Sequence, residues 1–289
     1  MDDVSTRMAP GPEFCDLPCE LQLLVLSYLS HGELVLVARV SKALRRLAYD
    51  PCLWRTVTVR EDMDDRWLQG ALDRLSQLES LTLRASPLVP GWAAHAARFP
   101  KLRLLDVGFS LDVNGAALSH FVDGCPLLSH LNVEGCKGVD DAAVEALCPL
   151  AGLLSVNMSH CCQVTDDGLL ALARGCPRLV LLNADGISRI TDRAVCGLAE
   201  HLGPRLVCLE LDGEQLTDAS FGALRRCSRL ETLSVSYAEN LTDASLASIK
   251  AGAGERFQKT PSALKKRRAP RETLFFKGAM QQFFYFAQI

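Results

Sequence analysis

A hexad of the form L-x-x-L-x-L, with other large apolar residues allowed at the Leu places, recurs along most of this chain. Its starts fall at Trp54, Leu78, Leu102, Leu128, Leu153, Leu179, Leu206 and Leu230, with spacings of 24, 24, 26, 25, 26, 27 and 24 residues. Apolar side chains at alternate places describe a strand with one buried face. A period in the twenties leaves room for one strand and one helix per unit, and such units bury their apolar faces only against their neighbours. The unit from Cys125 to Leu147 shows the pattern plainly. Leu128, Leu131 and Val133 point one way, Gly135-Cys136 make a turn, and an acid-capped helix follows.

A second signal keeps the same phase about twelve residues after each start: Val139-Asp140-Asp141, Val164-Thr165-Asp166, Ile190-Thr191-Asp192, Leu216-Thr217-Asp218 and Leu241-Thr242-Asp243. Thr or Asp there caps a helix N-terminus, and the following acid suits its positive end. Leu169 and Leu172, Val195 and Leu198, and Phe221 and Leu224 then fall on the inner helix face. Cys125, Cys176 and Cys227 precede the strands, and Cys136 and Cys161 follow them. The period and its phased thiols resemble the cysteine-containing leucine-rich repeats. That resemblance implies an α/β fold, a right-handed solenoid with a curved parallel sheet inside and helices outside. The thiols are then small apolar fillers.

Residues 14–60 have no counterpart among the repeats. Pro18 opens a helix whose stripe is Leu21, Leu24, Val25, Tyr28 and Leu29; Ser30-His31-Gly32-Glu33 has capping-box spacing and starts a second helix running towards Leu47. Leu23, Leu26, Val35, Leu36 and Val40 lie off the main stripes, more apolar surface than so small a piece can hide. An apolar face left over marks a protein partner; the alternative is packing against the repeats behind it.

The stretch FCDLPCELQLLVLSYLSHGELVLVARVSKALRRLAYDPCLWRTVTV resembles an F-box over residues 14–59. The resemblance implies that Leu17, Pro18, Leu24, Leu29, Leu34 and Val40 form or support the surface gripped by the SKP-type adaptor of a cullin-RING ubiquitin ligase. Leu44 stands where that family usually has Trp. Because Trp54 belongs both to this motif and to the first repeat strand, the two parts are expected to be fused rigidly. The implied organisation is a flexible stretch at 1–13, the F-box at 14–59, about eight repeats over 54–254 and a tail at 255–289.

In a solenoid, the strand residues opposite the leucines line the concave wall. The candidate protein-substrate residues there are Asp106, His130, Asn132, Glu134, Asn157, Asn183, Asp185, Glu210 and Asp212. The wall positions carry five acids and one base, Arg84. That sign attracts a basic or amide-rich protein and repels nucleic acid; the plainer reading is a row of polar groups facing water.

Composition sets the remaining bounds. The chain holds 289 residues with 48% apolar and 22% charged side chains, enough for a packed core, and no apolar run reaches membrane-spanning length. Residues 255–289 hold eight basic and two acidic residues, leaving 23 basic against 32 acidic in the body. Twelve cysteines without a secretory leader fit a reducing cytoplasmic or nuclear setting. His160-Cys161-Cys162 is the most metal-like cluster but lacks a second ligand pair, and no phosphate-loop, dinucleotide or HExxH motif occurs. No cofactor and no catalysis are expected. Lys265-Lys266-Arg267-Arg268 has the form of an import signal. The aromatic residues from Phe275 to Phe286 read as a folded-back cap or as a replacement for further repeats. Within these bounds, the F-box resemblance implies the substrate-recognition subunit of an SCF-type ubiquitin ligase, with a repeat scaffold that transfers no ubiquitin as the alternative.

Overall fold

The computed structural model describes residues 14–59, 70–242 and 245, and the backbone of 258–259 and 273–277. The flexible start expected at 1–13 and the basic and aromatic runs at 265–268 and 283–286 lie outside the described residues.

Three short helices begin the chain: α1 (Cys19–Leu26), α2 (His31–Val37) and α3 (Lys42–Ala48). The Ser30 capping box forms, with Glu33 N–H donating to Ser30 Oγ and the Glu33 carboxylate accepting from Ser30 N–H at 2.7 Å. The single helix expected from residue 31 to 47 is two. Ser41 sits in extended backbone and its Oγ accepts from Leu44 N–H at 3.1 Å, so a second cap starts α3. A cap residue read as a mid-helix serine hid that break.

The repeats follow. Strands β1 (Thr56–Thr58), β2 (Ser80–Thr82), β3 (Leu104–Asp106), β4 (His130–Asn132), β5 (Ser155–Asn157), β6 (Leu181–Ala184), β7 (Cys208–Asp212) and β8 (Thr232–Ser236) each begin two residues after a hexad start. They pair in sequence order, all parallel. From β2 onward each strand joins the next through a helix, the usual connection for parallel pairing: α4 (Val89–Ala94), α5 (Gly115–Gly124), α6 (Asp141–Glu145), α7 (Asp166–Gly175), α8 (Asp192–Leu202) and α9 (Asp218–Leu224). The leucines of the hexads and Leu169, Leu172, Val195, Leu198, Phe221 and Leu224 are buried in one continuous core. This is the open α/β solenoid expected, with strands on one side and helices on the other.

The sheet continues past the last repeat strand. β10 (Thr273–Lys277) runs antiparallel beside β8, and β9 (Gln258–Lys259) antiparallel beside β10. The leucine hexad gave no sign of these strands, because an antiparallel edge does not repeat its register.

Trp54 joins the helices to the repeats. It is buried, its indole N–H donates to the Ala48 carbonyl at 2.9 Å, and the His31 ring lies 4.9 Å away. Arg74, from the repeat body, lies over the Tyr49 ring at 3.5 Å. Side chains from both parts thus meet at one aromatic cluster, which leaves no linker between them.

Candidate functional site

Two surfaces are candidates for a partner: the outer face of α1–α3 and the concave wall of the sheet. On the first, Leu24 is 53% exposed and Val40 73%, with Leu21, Val25, Tyr28 and Leu36 exposed around them. The stripe that looked core-facing in α1 therefore faces water, while Leu26, counted among the surplus, points inward. A helix with apolar residues on more than one side gives period alone no means of choosing the buried one. Of the six residues assigned to adaptor contact, Pro18, Leu24 and Val40 are exposed and Leu17 is half-buried. Leu29 packs partly against the core. Leu34 is 1% exposed, so within that set it can only support the surface from inside the helices and presents none of it.

The strands bring the wall residues into columns. Asp106, Asn132, Asn157, Asn183 and Glu210 are register partners in turn. The first four share a structural task that sequence reading missed. The Oδ1 atoms of Asp106, Asn132, Asn157 and Asn183 accept the backbone N–H two residues on, at 2.9–3.1 Å. A short polar side chain closing its own turn in this way ends the strand. The recurrence of Asx at one repeat position was the available signal.

Two wall assignments need correction. Asp106 is 1% exposed and pairs with Arg84 at 3.3 Å, so it offers nothing to a partner. Asp212 is also buried, its Oδ1 accepting from Glu214 N–H at 3.0 Å. Arg84 further binds Glu134 at 3.0 Å, which cancels much of the negative charge at the β2–β4 end. His130 is half-buried beside the Ser129 hydroxyl at 2.9 Å, and burial holds its pKa below the ordinary histidine value.

Negative charge survives at the β6–β8 end. Burial raises the Glu210 carboxyl pKa, with the charge of Asp185 adding to it. Asn183 Nδ2 donates to Glu210 Oε2 at 2.8 Å, whereas Asp185 Oδ1 is buried without a hydrogen-bond partner. On the rim beside them lies a cleft of about 450 Å³, lined by His160, Ser188, Asp212, Glu214, Tyr237 and Glu239. The wall alternation did not mark His160 and Tyr237. They sit, with Phe109, at a repeat position that adopts left-handed backbone, with φ of 60°, 55° and 59°. Gly135 and Gly186 fill the same position in other repeats at φ 65° and 70°. The Phe109 ring lies over Gly135 and the His160 ring over Gly186, where an added Cβ would come within 2.6 and 2.1 Å of them. Aligning the repeats at these glycines would have found the position.

The metal-like triplet is scattered by the same turn. Cys161 is buried and donates to the Val133 carbonyl, Cys162 is exposed, and His160 lies over Gly186. Burial pushes the Cys125, Cys161 and Cys176 thiols up to about 12, where they are poor nucleophiles. Each donates to a carbonyl one repeat back: Cys125 to Ala96, Cys161 to Val133 and Cys176 to Leu147.

The F-box-like family matches residues 14–60, and the leucine-rich-repeat family matches residues 124–148 and 153–173. Both matches fall on the helices and strands just described. The chain thus resembles F-box proteins in its helices and leucine-rich-repeat proteins in its sheet. It is similar to F-box/LRR-repeat protein 9 of Arabidopsis thaliana, 27% identical over 79% of this chain and 89% of that one. It is also similar to F-box/LRR-repeat protein 4 of Bos taurus, 24% identical over 86% of this chain but only 38% of the bovine protein. Among solved structures, the leucine-rich repeat-containing protein LegL7 of Legionella pneumophila overlays with a TM-score of 0.49 at 12% identity, covering 86% of both chains. Among the described residues, no helix is long and apolar enough to cross a membrane.

Proposed function

We propose that this chain is a substrate receptor of an SCF-type ubiquitin ligase. The exposed apolar face of α1–α3 docks on an SKP-type adaptor, and the wall from β4 to β8 holds a protein substrate. The observation that carries this reading is the pairing of Leu24 and Val40 in water with Trp54 buried at the joint. A small helical piece keeps such a face uncovered only at a thermodynamic cost, and its rigid fusion to the repeats sets a fixed distance between docking face and wall. The relatives' F-box/LRR names support the same reading. In this mechanism the chain does no chemistry. It holds a substrate lysine near a conjugating enzyme carried by the rest of the ligase, raising the local concentration of the reacting groups.

The substrate residues in this proposal are His130, Asn132, Glu134, Asn157, Asn183, Asp185 and Glu210, and the uncancelled acids of the β6–β8 end favour a basic segment of the substrate. Co-purification with the adaptor is the test. Leu24→Asp with Val40→Asp is expected to abolish the complex while leaving the circular dichroism of the repeats unchanged. A chain that never co-purifies with the adaptor is instead a repeat scaffold, and the proposal falls. Asp185→Lys with Glu210→Lys is expected to end substrate capture and spare adaptor binding.

A further inference from the structure

The two edges of the β6–β8 repeats carry opposite charge. Where the strands end, Glu214 and Glu239 are exposed. Where the strands begin, Arg174, Arg178, Arg205, Arg225, Arg226 and Arg229 are all exposed, against the acids Glu200 and Glu231. Arg174 lies in the last turn of α7 and Arg225 caps the end of α9, where cations offset the negative helix terminus. Arg178, Arg205 and Arg229 have no such role. Each stands three or more residues past its helix, and the helix field fades within the last turn. Each immediately precedes a hexad start: Leu179, Leu206 and Leu230. Two residues further on, Val207 N–H donates to the Val180 carbonyl and Glu231 N–H to the Val207 carbonyl. The three arginines therefore form a column, one per repeat, at about the 4.8 Å spacing of strands. Like charges so placed repel, yet Arg205 Nη1 donates to the Pro177 carbonyl, beside Arg178, at 3.0 Å. The ion pairs among the described residues use Arg55, Arg84 and Arg193, and none of these three.

We propose that the Arg178, Arg205 and Arg229 column docks an extended acidic segment of a partner protein. This surface is separate from the adaptor face and from the concave wall. Arg84 shows how the chain treats a guanidinium that it uses itself, pinning it between Asp106 and Glu134. The strand-start column has the same cations and lacks the acids. All the cations named on this edge are arginines, whose planar fork suits a carboxylate better than the point charge of lysine. The column spans about 10 Å, which an extended peptide covers in about three to four residues, so a run of Asp or Glu of that length matches it. Nucleic acid fits less well. The body holds 23 basic against 32 acidic residues, so a long polyanion running past the column meets repulsion. A short peptide need not leave the three repeats.

Fluorescence anisotropy of a fluorescein-labelled octaglutamate peptide, titrated with the full chain at low salt, tests the column without the adaptor or a substrate. The peptide is expected to bind, and to weaken as salt screens the exposed charges. An exposed ion pair contributes up to about fivefold in affinity. Arg178→Gln, Arg205→Gln and Arg229→Gln together are therefore expected to weaken binding by about tenfold or more. Removing three cations outside this edge, with Lys137→Gln, Arg189→Gln and Arg193→Gln, is expected to leave affinity within about twofold. Equal losses in the two triple variants would mean that net charge alone holds the peptide, and the column falls. It falls also if octaglutamate does not bind. An eight-nucleotide oligothymidylate that binds as tightly as octaglutamate, and loses as much in the first triple variant, overturns the assignment to a protein segment. Should loss of the Arg205 tie to Pro177 disturb the fold, Arg178→Gln with Arg229→Gln keeps that tie and is read by the same criteria.

Discussion

In α1–α3 many large apolar side chains stand in water and in the repeats most are sealed, although the two regions are joined at one tryptophan. Leu21, Leu24, Val25, Leu36 and Val40 are exposed, while Leu169, Leu172, Val195 and Leu198 are inaccessible. Polar residues divide the other way. In the repeats they are structural. Asp141, Asp166, Asp192 and Asp218 each take the backbone N–H and hydroxyl of the capping threonine one repeat on: Thr165, Thr191, Thr217 and Thr242. The hydroxyls of Thr165, Thr191 and Thr217 also accept from the second N–H of their own helices at 3.3 Å. These four threonine caps are thereby tied to the preceding repeat. A repeat unit always has a neighbour to bury against, so its apolar groups hold the fold and its polar groups hold the register. A three-helix piece has too little interior, and its apolar excess becomes a binding face.

The comparison breaks most visibly under one substitution made in both regions. Leu172→Ala should lower unfolding free energy by about 2–5 kcal/mol, the usual range for emptying a buried leucine site. Leu24→Ala should change it by less than about 0.5 kcal/mol, as for an exposed position, while weakening adaptor binding. Urea titration measures both. An equal loss at the two sites would mean that the α1 face is packed in solution and free for no partner.

A smaller effect tests the polar half of the contrast. Asp192→Ala leaves Thr217 N–H and Oγ–H without their acceptor. Hydrogen bonds to a charged group of this kind contribute about 1.5–3 kcal/mol, and partial exposure puts the expected loss near the lower end. Hydrogen exchange should show the start of α9 opening first. An unaltered α9 would mean that the threonine caps its own helix and the tie between repeats does little.

The repeat body was legible because its rules are periodic. Strand starts, capping threonines and buried cysteines each fell at a fixed offset from a leucine, and the structure places them there. What stayed hidden depends on contacts across the sequence. Nothing local tells that Asp166 serves Thr191 rather than its own helix, or that Arg84 reaches two acids of later strands. In α1 apolar residues occupy more than one side, so period alone did not choose the inward one. On the wall, alternation gave the right face but not its occupancy. Asp106 and Asp212 point to the concave side of the sheet and are consumed by Arg84 and by Glu214 N–H.

The smallest predicted effect separates the wall from the caps by pH. Glu210 carries a folded-state pKa raised by burial and then by Asp185, so its ionised form is the disfavoured one in the fold. Its carboxyl is protonated in both states below the unfolded value of about 4.3. Stability is then lost as pH climbs from there through the folded value. Asp218 has the opposite sign: hydroxyls of Ser245 and Thr242 lower its pKa, so its contribution is present above the unfolded value and disappears as pH falls through the folded one. Glu210→Gln keeps an oxygen for Asn183 Nδ2 and removes the charge. It should raise the thermal midpoint modestly at pH 7 and leave it unchanged near pH 4. Asp218→Asn should lower the midpoint at pH 7, the gap narrowing on acidification. A Glu210→Gln midpoint that falls at pH 7 would mean that the carboxylate is held by a cationic partner within the chain, and the wall at β6–β8 would then have no negative charge left to offer a substrate.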